Sequence, residues 1–158
     1  MSAKLNFSTV PVKEIPRSLP ENGQADNRPV VLVIDDESVI ADTLAEILNR
    51  TGYAAIPLYN AEEALETALV MPPDLLIADV VLPGESGIDL AIKVRRIFPD
   101  CRILLFSGQA ATSDLLASAN RCGHKFALLS KPVHPKDLLA WIAGDKNAHR
   151  QHEAAYSA

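Results

Sequence analysis

Several apolar runs of this chain each end in residues that are able to do chemistry. An aspartate can ligate a cation or attack phosphorus, a lysine can neutralise anionic oxygens, and a serine can donate a hydrogen bond to them. Taken singly, each position also has a plainer interpretation, as a helix cap, a turn residue or a surface lysine. The residues are Asp35 and Asp36 after the first run, Asp79 after the third, Ser107 after the fourth and Lys131 after the fifth.

Whether these side chains meet depends on the elements that carry them. The first run, residues 30–34, is an unbroken aliphatic stretch, which is typical of a parallel strand buried on both faces. Further strands are predicted at residues 53–58, 75–78, 102–106 and 126–129, with a helical pattern after each. Asn60, with Glu63 three residues later, is predicted to cap the second helix, and Pro135 to begin the last. The buried stripe of the second helix is predicted to be Ala61, Ala64, Leu65, Ala68 and Leu69.

Five strand–helix units predict an α/β fold with a doubly wound five-stranded parallel sheet, flavodoxin-like, with right-handed crossovers. Pro57 cannot donate to a strand ladder, which favours an edge position for the second strand and therefore the order 2-1-3-4-5. Ligands of such sheets bind at the carboxyl ends of the strands, where the residues above are expected to converge. Three carboxylates in one pocket repel each other, so we expect a cation there, and hard oxygen ligands favour Mg2+.

The segments VLVIDDE, ADVVLPGESGIDL, ILLFSGQ and ALLSKP resemble the receiver domains of two-component response regulators. The similarity covers residues 29–144. It implies that Asp79 accepts a phosphoryl group and that Asp36 binds Mg2+ directly, with Asp35 binding directly or through water. It also implies that the backbone carbonyl of Val81 completes the metal shell, that Ser107 is a switch hydroxyl, and that Lys131 pairs with the phosphoryl group. The resemblance further implies a cis Lys131–Pro132 bond, which is plausible on local grounds only because the second residue is proline.

The same resemblance implies a phosphoacceptor module rather than an enzyme. Its partners would be a sensor histidine kinase or phosphotransfer protein and an unknown downstream protein, since no histidine of this chain has the setting of a phosphodonor. The chain departs from the family at Leu128, where an aromatic residue is usual, although Phe126 lies on the same strand face. Val81 places an apolar side chain beside the site, where it would hinder the attacking water and lengthen the life of an acyl phosphate, whereas Gln109 could act in either direction, so the lifetime stays open.

Three other functions compete with that of a phosphorylated receiver. The first is a receiver that works by interaction alone, which Leu128 favours and the intact charged set opposes. The second is a phosphatase with an aspartate nucleophile, but Val81 stands where its second aspartate is needed. The third is a flavin or nucleotide binder, whose phosphate would be repelled by Asp35, Asp36 and Glu37 after the first strand.

Composition sets the remaining expectations. A formal net charge of -5 argues against nucleic acid, and no run is long or apolar enough for a signal peptide or a membrane span, so we expect a cytoplasmic protein. Cys101 and Cys122 are interpreted as small core residues. Residues 1–28 are predicted to form a flexible N-terminal extension and residues 145–158 a flexible tail, which is too short for a DNA-binding output domain.

Overall fold

The structure is a computed structural model that describes residues 26–108 and 112–144. Gln109, the tail at residues 145–158 and most of the N-terminal extension, residues 1–25, lie outside the described residues. Within them, five strands alternate with five helices, as the sequence predicts. The strands are β1 Val30–Ile34, β2 Ala54–Leu58, β3 Leu75–Asp79, β4 Arg102–Ser107 and β5 Ala127–Ser130, and the helices are α1 Ser38–Arg50, α2 Ala61–Val70, α3 Gly87–Ile97, α4 Thr112–Arg121 and α5 Pro135–Ile142.

The strands form one parallel sheet in the order β2-β1-β3-β4-β5, which confirms the predicted fold class. β2 lies at an edge, and its Pro57 pairs with Val33 of β1. The missing N–H of a proline is tolerated at such an edge, because no further strand needs it. β3 lies between β1 and β4 and all five of its residues are buried. This placement brings the carboxyl ends of β1, β3, β4 and β5 to one rim of the sheet.

The sheet separates two apolar layers, because successive side chains of a strand point to opposite faces. Leu32 and Ile34 of β1 face a cluster that includes buried residues of α2, α3 and α4. Val31 and Val33 face a second cluster, which includes buried residues of α1 and α5. Helices therefore cover both faces of the sheet. Polar side chains that follow the strands can therefore reach solvent at the rims of the sheet.

Several helix ends follow the predicted chemistry. The Asn60 side chain accepts a hydrogen bond from the Glu63 N–H at 2.9 Å, which confirms the predicted cap of α2. His134 accepts from the Lys136 N–H at 3.2 Å and caps α5 before Pro135. Gly52, one residue beyond the C-cap of α1, has a φ of +99°, a conformation that favours glycine after a helix.

Two predictions of burial were wrong. Leu69 is 58% exposed, because the buried stripe of α2 runs through Ala61, Ala64 and Ala68. A helix turns by about 100° per residue, so the position after Ala68 is carried away from the sheet. Cys101 is buried as predicted, but Cys122 is exposed, because it lies in the turn that ends α4.

Candidate functional site

The predicted site residues extend the sheet by backbone hydrogen bonds beyond the strand ends. The Asp35 N–H donates to the carbonyl of Leu58 on β2 at 3.1 Å. The Val80 N–H, directly after Asp79, donates to the carbonyl of Phe106 on β4 at 2.9 Å. The Lys131 N–H donates to the carbonyl of Ser107 at 2.9 Å. The side chains of the site are therefore carried on a rim whose backbone is held between neighbouring strands.

The three carboxylates converge as predicted. Asp35, Asp36 and Asp79 each offer one oxygen, and these oxygens lie within 4.8 Å of one another. Asp35 and Asp79 are buried, whereas Asp36 is exposed at the mouth of the cluster. Neither aspartate of the pair caps α1, whose N-cap is Glu37 without a side-chain hydrogen bond. The plain interpretation of this pair as a helix cap is therefore wrong.

Lys131 binds both buried carboxylates. Its Nζ lies 2.8 Å from Asp35 Oδ2 and 2.7 Å from Asp79 Oδ2, and its side chain is 19% exposed. Burial alone lowers the pKa of the Lys131 ammonium, but hydrogen bonds to Asp35 and Asp79 and the charges of both carboxylates outweigh it, so this pKa is raised overall. The ammonium is therefore fixed in its charged form and holds the ends of β1, β3 and β5 together.

The other carboxylate oxygens are bound by backbone donors. Asp35 Oδ1 accepts from the Glu37 N–H at 2.9 Å, and Asp79 Oδ1 accepts from the Val81 N–H at 3.0 Å. Each buried carboxylate thus has one oxygen on a local N–H and the other on Lys131. This arrangement satisfies charges that would otherwise be costly to bury. It also fixes the orientation of the Asp79 carboxylate.

Ser107, at the end of β4, and Val81, two residues after Asp79, both lie at the rim that carries Asp79. Ser107 is buried at the end of β4, where it pairs with Ser130 of β5, one residue before Lys131. Val81 is exposed at the start of the β3–α3 loop, while its neighbour Val80 is fully buried. The Lys131–Pro132 peptide bond is cis, which confirms that expectation.

Gly87, the first residue of α3, was not recognised from the sequence as part of the site. Its N–H donates to the carbonyl of Val80 at 2.8 Å, which closes the β3–α3 loop onto the end of β3. A Cβ atom at this position would lie 1.9 Å from the Asp79 carbonyl oxygen and 2.8 Å from its carbonyl carbon. Only glycine lets the start of α3 approach the backbone of Asp79 this closely. The sequence feature that could have indicated this role is a glycine at the first position of α3, directly after Ser86, which caps the helix by accepting a hydrogen bond from the Asp89 N–H.

Phe126 and Leu128 both pack against the cluster beneath α2, α3 and α4, as their alternation on one strand predicts. Arg95 of α3 donates to the Lys125 carbonyl at 2.8 Å and places its guanidinium 4.6 Å from the centre of the Phe126 ring. The His124 ring stacks near the same aromatic, with centroids 6.2 Å apart. Arg95 therefore links α3 to the segment before β5, a role that its position in a pair of adjacent arginines did not reveal.

The donor set fits a small divalent cation. Three carboxylates and one ammonium leave two negative charges, which one Mg2+ ion would neutralise. Opposite ligands of Mg2+ lie about 4.2 Å apart, so oxygens held within 4.8 Å of each other need only small side-chain adjustments. The exposed position of Asp36 leaves room for water ligands, which Mg2+ retains.

Residues 31–143 match the family model described as the response regulator receiver domain. The response regulator receiver protein CpdR of Brucella abortus is 31% identical over 109 residues, which are 69% of this chain and 89% of that protein. The transcriptional regulatory protein PdtaR of Mycobacterium tuberculosis is 37% identical over 115 residues, 71% of this chain and 54% of that protein. This chain spans about half the length, or less, of most of the first curated relatives it matches.

Solved structures agree with the fold. A receiver domain protein, CheY-like, from Methanospirillum hungatei is 26% identical, with a TM-score of 0.67 over 78% of this chain and 98% of that one. In the part of this chain that the structure describes, every helix is too short or too polar to cross a membrane.

Proposed function

Because the chain belongs to the response regulator receiver family, we propose that it accepts a phosphoryl group on Asp79 in a Mg2+-dependent reaction and relays the signal by docking to other proteins. Receiver domains are signalling modules rather than classical enzymes. The observation that carries the proposal is the placement of Lys131, which bridges Asp35 and Asp79 inside the acidic cluster. A structural ion pair would need one carboxylate; a third carboxylate within 4.8 Å points to a cation.

In the proposed reaction, a carboxylate oxygen of Asp79 attacks the phosphorus of a phosphodonor. A new oxygen–phosphorus bond forms, the bond from phosphorus to the leaving group breaks, and the leaving group takes the electron pair. The Val81 N–H keeps Asp79 Oδ1 in place, while Oδ2 exchanges its hydrogen bond with Lys131 for the incoming group. Lys131 is then positioned to pair with a phosphoryl oxygen, and the buried Ser107 hydroxyl to donate a hydrogen bond to another.

The proposed metal ligands are Asp36 and Asp79, the backbone carbonyl of Val81, and Asp35 either directly or through water. When bound, Mg2+ would neutralise the phosphoryl oxygens and the carboxylates that surround them. Asp35 contributes by orienting Lys131, because its Oδ2 holds the ammonium 2.8 Å away at the base of the cluster. Asp36, at the exposed mouth, is the carboxylate most open to an entering ion.

The proposed partners are a sensor histidine kinase or a phosphotransfer protein upstream and a separate protein downstream. A relative whose name states DNA binding, the DNA-binding transcriptional regulator NtrC of Azospirillum brasilense, is longer than this chain and is matched over only 24% of its length. The receiver-sized relative CpdR supports a module that acts without a further domain, since the match covers 89% of that protein. We therefore propose that this receiver acts without an attached output domain.

The test is intact mass measurement after incubation with a small acyl-phosphate donor, with and without Mg2+. We expect a gain of one phosphoryl group that needs Mg2+ and is absent from Asp79→Asn. Asp100→Asn, an exposed aspartate before β4 at the other rim of the sheet, is the matched control and should be phosphorylated normally. No gain of mass in the native chain under any condition would refute the proposal and leave a receiver that works by interaction alone.

A further inference from the structure

Four exposed apolar side chains lie at the ends of α2 and α3, at the rim opposite the carboxylates. Leu69, Val70, Met71 and Ile97 form this α2–α3 patch, and Val70 is 87% exposed. α2 and α3 pack against each other, and each returns to the rim where the strands begin, as helices between parallel strands must. Three consecutive exposed apolar residues, with a fourth at the same end of the neighbouring helix, are typical of a surface that another segment covers.

The chain enters the sheet next to this patch. The Val30 N–H donates to Asp74 Oδ2 at 2.8 Å, and the Asp74 N–H donates to the Val30 carbonyl at 2.9 Å. These two bonds join the first residue of β1 to the loop that begins at Met71. Residues 1–25, which precede the described part of the chain, are therefore attached at the same rim as the patch.

The preceding segment has a composition that complements the patch. Val10, Val12 and Ile15 alternate with other residues, and Lys13 and Arg17 add two positive charges against the single acidic Glu14. Glu66 is exposed one helical turn before Val70, and the sequence of α2 contains no basic residue. Apolar and basic side chains on one segment thus match apolar and acidic side chains on the other surface.

We propose that residues 10–17 dock on the α2–α3 patch, with Val10, Val12 and Ile15 covering its apolar side chains and Lys13 or Arg17 beside Glu66. Ile15 is eleven residues from Asp26, and an extended chain of that length spans roughly 36 Å, well beyond what the path needs. Because this linker attaches the segment to the domain, its effective concentration at the patch is on the order of millimolar, so weak apolar contacts are sufficient for docking.

A spin label on the segment tests the proposal in the full-length chain. Cys122→Ser removes the exposed thiol, Ser8→Cys supplies the labelling position, and the buried Cys101 is left in place. We expect the methyl signals of Leu69, Val70, Met71 and Ile97 to lose most of their intensity in NMR spectra and to regain it when the label is reduced. The methyl signals of Val39, which is 75% exposed on α1 beside the phosphoacceptor rim, should keep theirs.

Matched variants separate docking from chance contact. Val70→Ser should lower the ratio of docked to undocked chain about tenfold, whereas Val39→Ser should leave it unchanged. Glu66→Gln should reduce the loss of methyl signal and should make that loss less dependent on the salt concentration. The proposal would be overturned if the spin label broadened methyl signals evenly over the whole surface, or if Val70→Ser left the broadening of the patch signals unchanged. Broadening of the patch in a mixture of labelled chains with separate isotope-enriched chains would also overturn it, because the occupant would then be a second copy.

Discussion

Replacing Gly87 by alanine should displace Asp79 as well as destabilise the domain. The added Cβ would lie 1.9 Å from the Asp79 carbonyl oxygen, and ordinary contact begins at 3.4 Å, so α3 or the end of β3 must shift by about 1.5 Å. The atoms that the Cβ meets are backbone atoms of Asp79 and Val80, which no rotamer change can move away. The shift would break or lengthen the 2.8 Å bond from the Gly87 N–H to the Val80 carbonyl.

The expected cost is large for one methyl group. Overpacking of a well-packed site costs 1–3 kcal/mol and occasionally more, and a rigid backbone neighbour favours the upper end, so we expect a loss of about 3 kcal/mol. The expected effect on phosphorylation comes from geometry, because Asp79 is displaced directly. A misplacement of about 1 Å can lower a rate on the order of a hundredfold, and we expect a loss of that order for Gly87→Ala.

Unfolding in urea, followed by the fluorescence of the single Trp141, measures the first effect. The rate of mass gain with an acyl-phosphate donor measures the second. Gly108→Ala is the matched control, because among the described residues its Cβ would meet only Lys131 side-chain carbons, at 3.6 and 3.9 Å, and its stability should change by less than about 1 kcal/mol. If Gly87→Ala unfolded at the same urea concentration as the native chain and accepted phosphoryl groups at its rate, the contact with Asp79 would not matter.

Three further predictions concern charge and thiols. Lys131→Met should lower the free energy of unfolding by about 3 kcal/mol without divalent cations, because Asp35 and Asp79 lose their ammonium, and Mg2+ should restore part of it in urea titrations; no change would contradict the role of Lys131. The pKa of Lys131 is raised above its ordinary 10.5, so the contribution of this lysine to the free energy of unfolding should be complete below pH 10.5 and be lost as the pH rises through its folded-state pKa. In urea titrations over this pH range, Lys131→Met should lack this pH-dependent loss of stability. Burial raises the pKa of the Cys101 thiol to about 11, so iodoacetamide at neutral pH should modify Cys122 alone until denaturant is added, as mass spectrometry will record; rapid modification of Cys101 would disprove its burial.

The sheet was predictable because its signals are local. Unbroken aliphatic runs identified the buried strands, and Pro57 identified the edge strand and with it the strand order. Once the order was known, the rim followed, because parallel strands all end on the same side. The convergence of Asp35, Asp36 and Asp79 therefore required only the topology, and no detail of side-chain packing.

What could not be predicted depends on distances between segments far apart in the chain. Asp35 and Asp36 are adjacent in sequence, yet one is buried on Lys131 and the other is exposed, because Lys131 approaches from β5. The contact of Gly87 with Asp79 depends on the path of the loop between them. Leu69 fitted the apolar pattern of α2 but lies one position past the alanine stripe that meets the sheet.

The site reconciles two opposing requirements through Lys131. Charges that a phosphoacceptor needs repel one another, and burying them without partners would destabilise the domain. Here Asp35 holds the ammonium from one strand and Asp79 from the next, so the same lysine stabilises the unphosphorylated cluster and lies 2.7 Å from the oxygen where a phosphoryl group would be added. Phosphorylation would draw Lys131 toward new anionic oxygens and weaken its bond to Asp35. Since the Lys131 N–H is bound to the Ser107 carbonyl, a shift of Lys131 would act on the ends of β4 and β5.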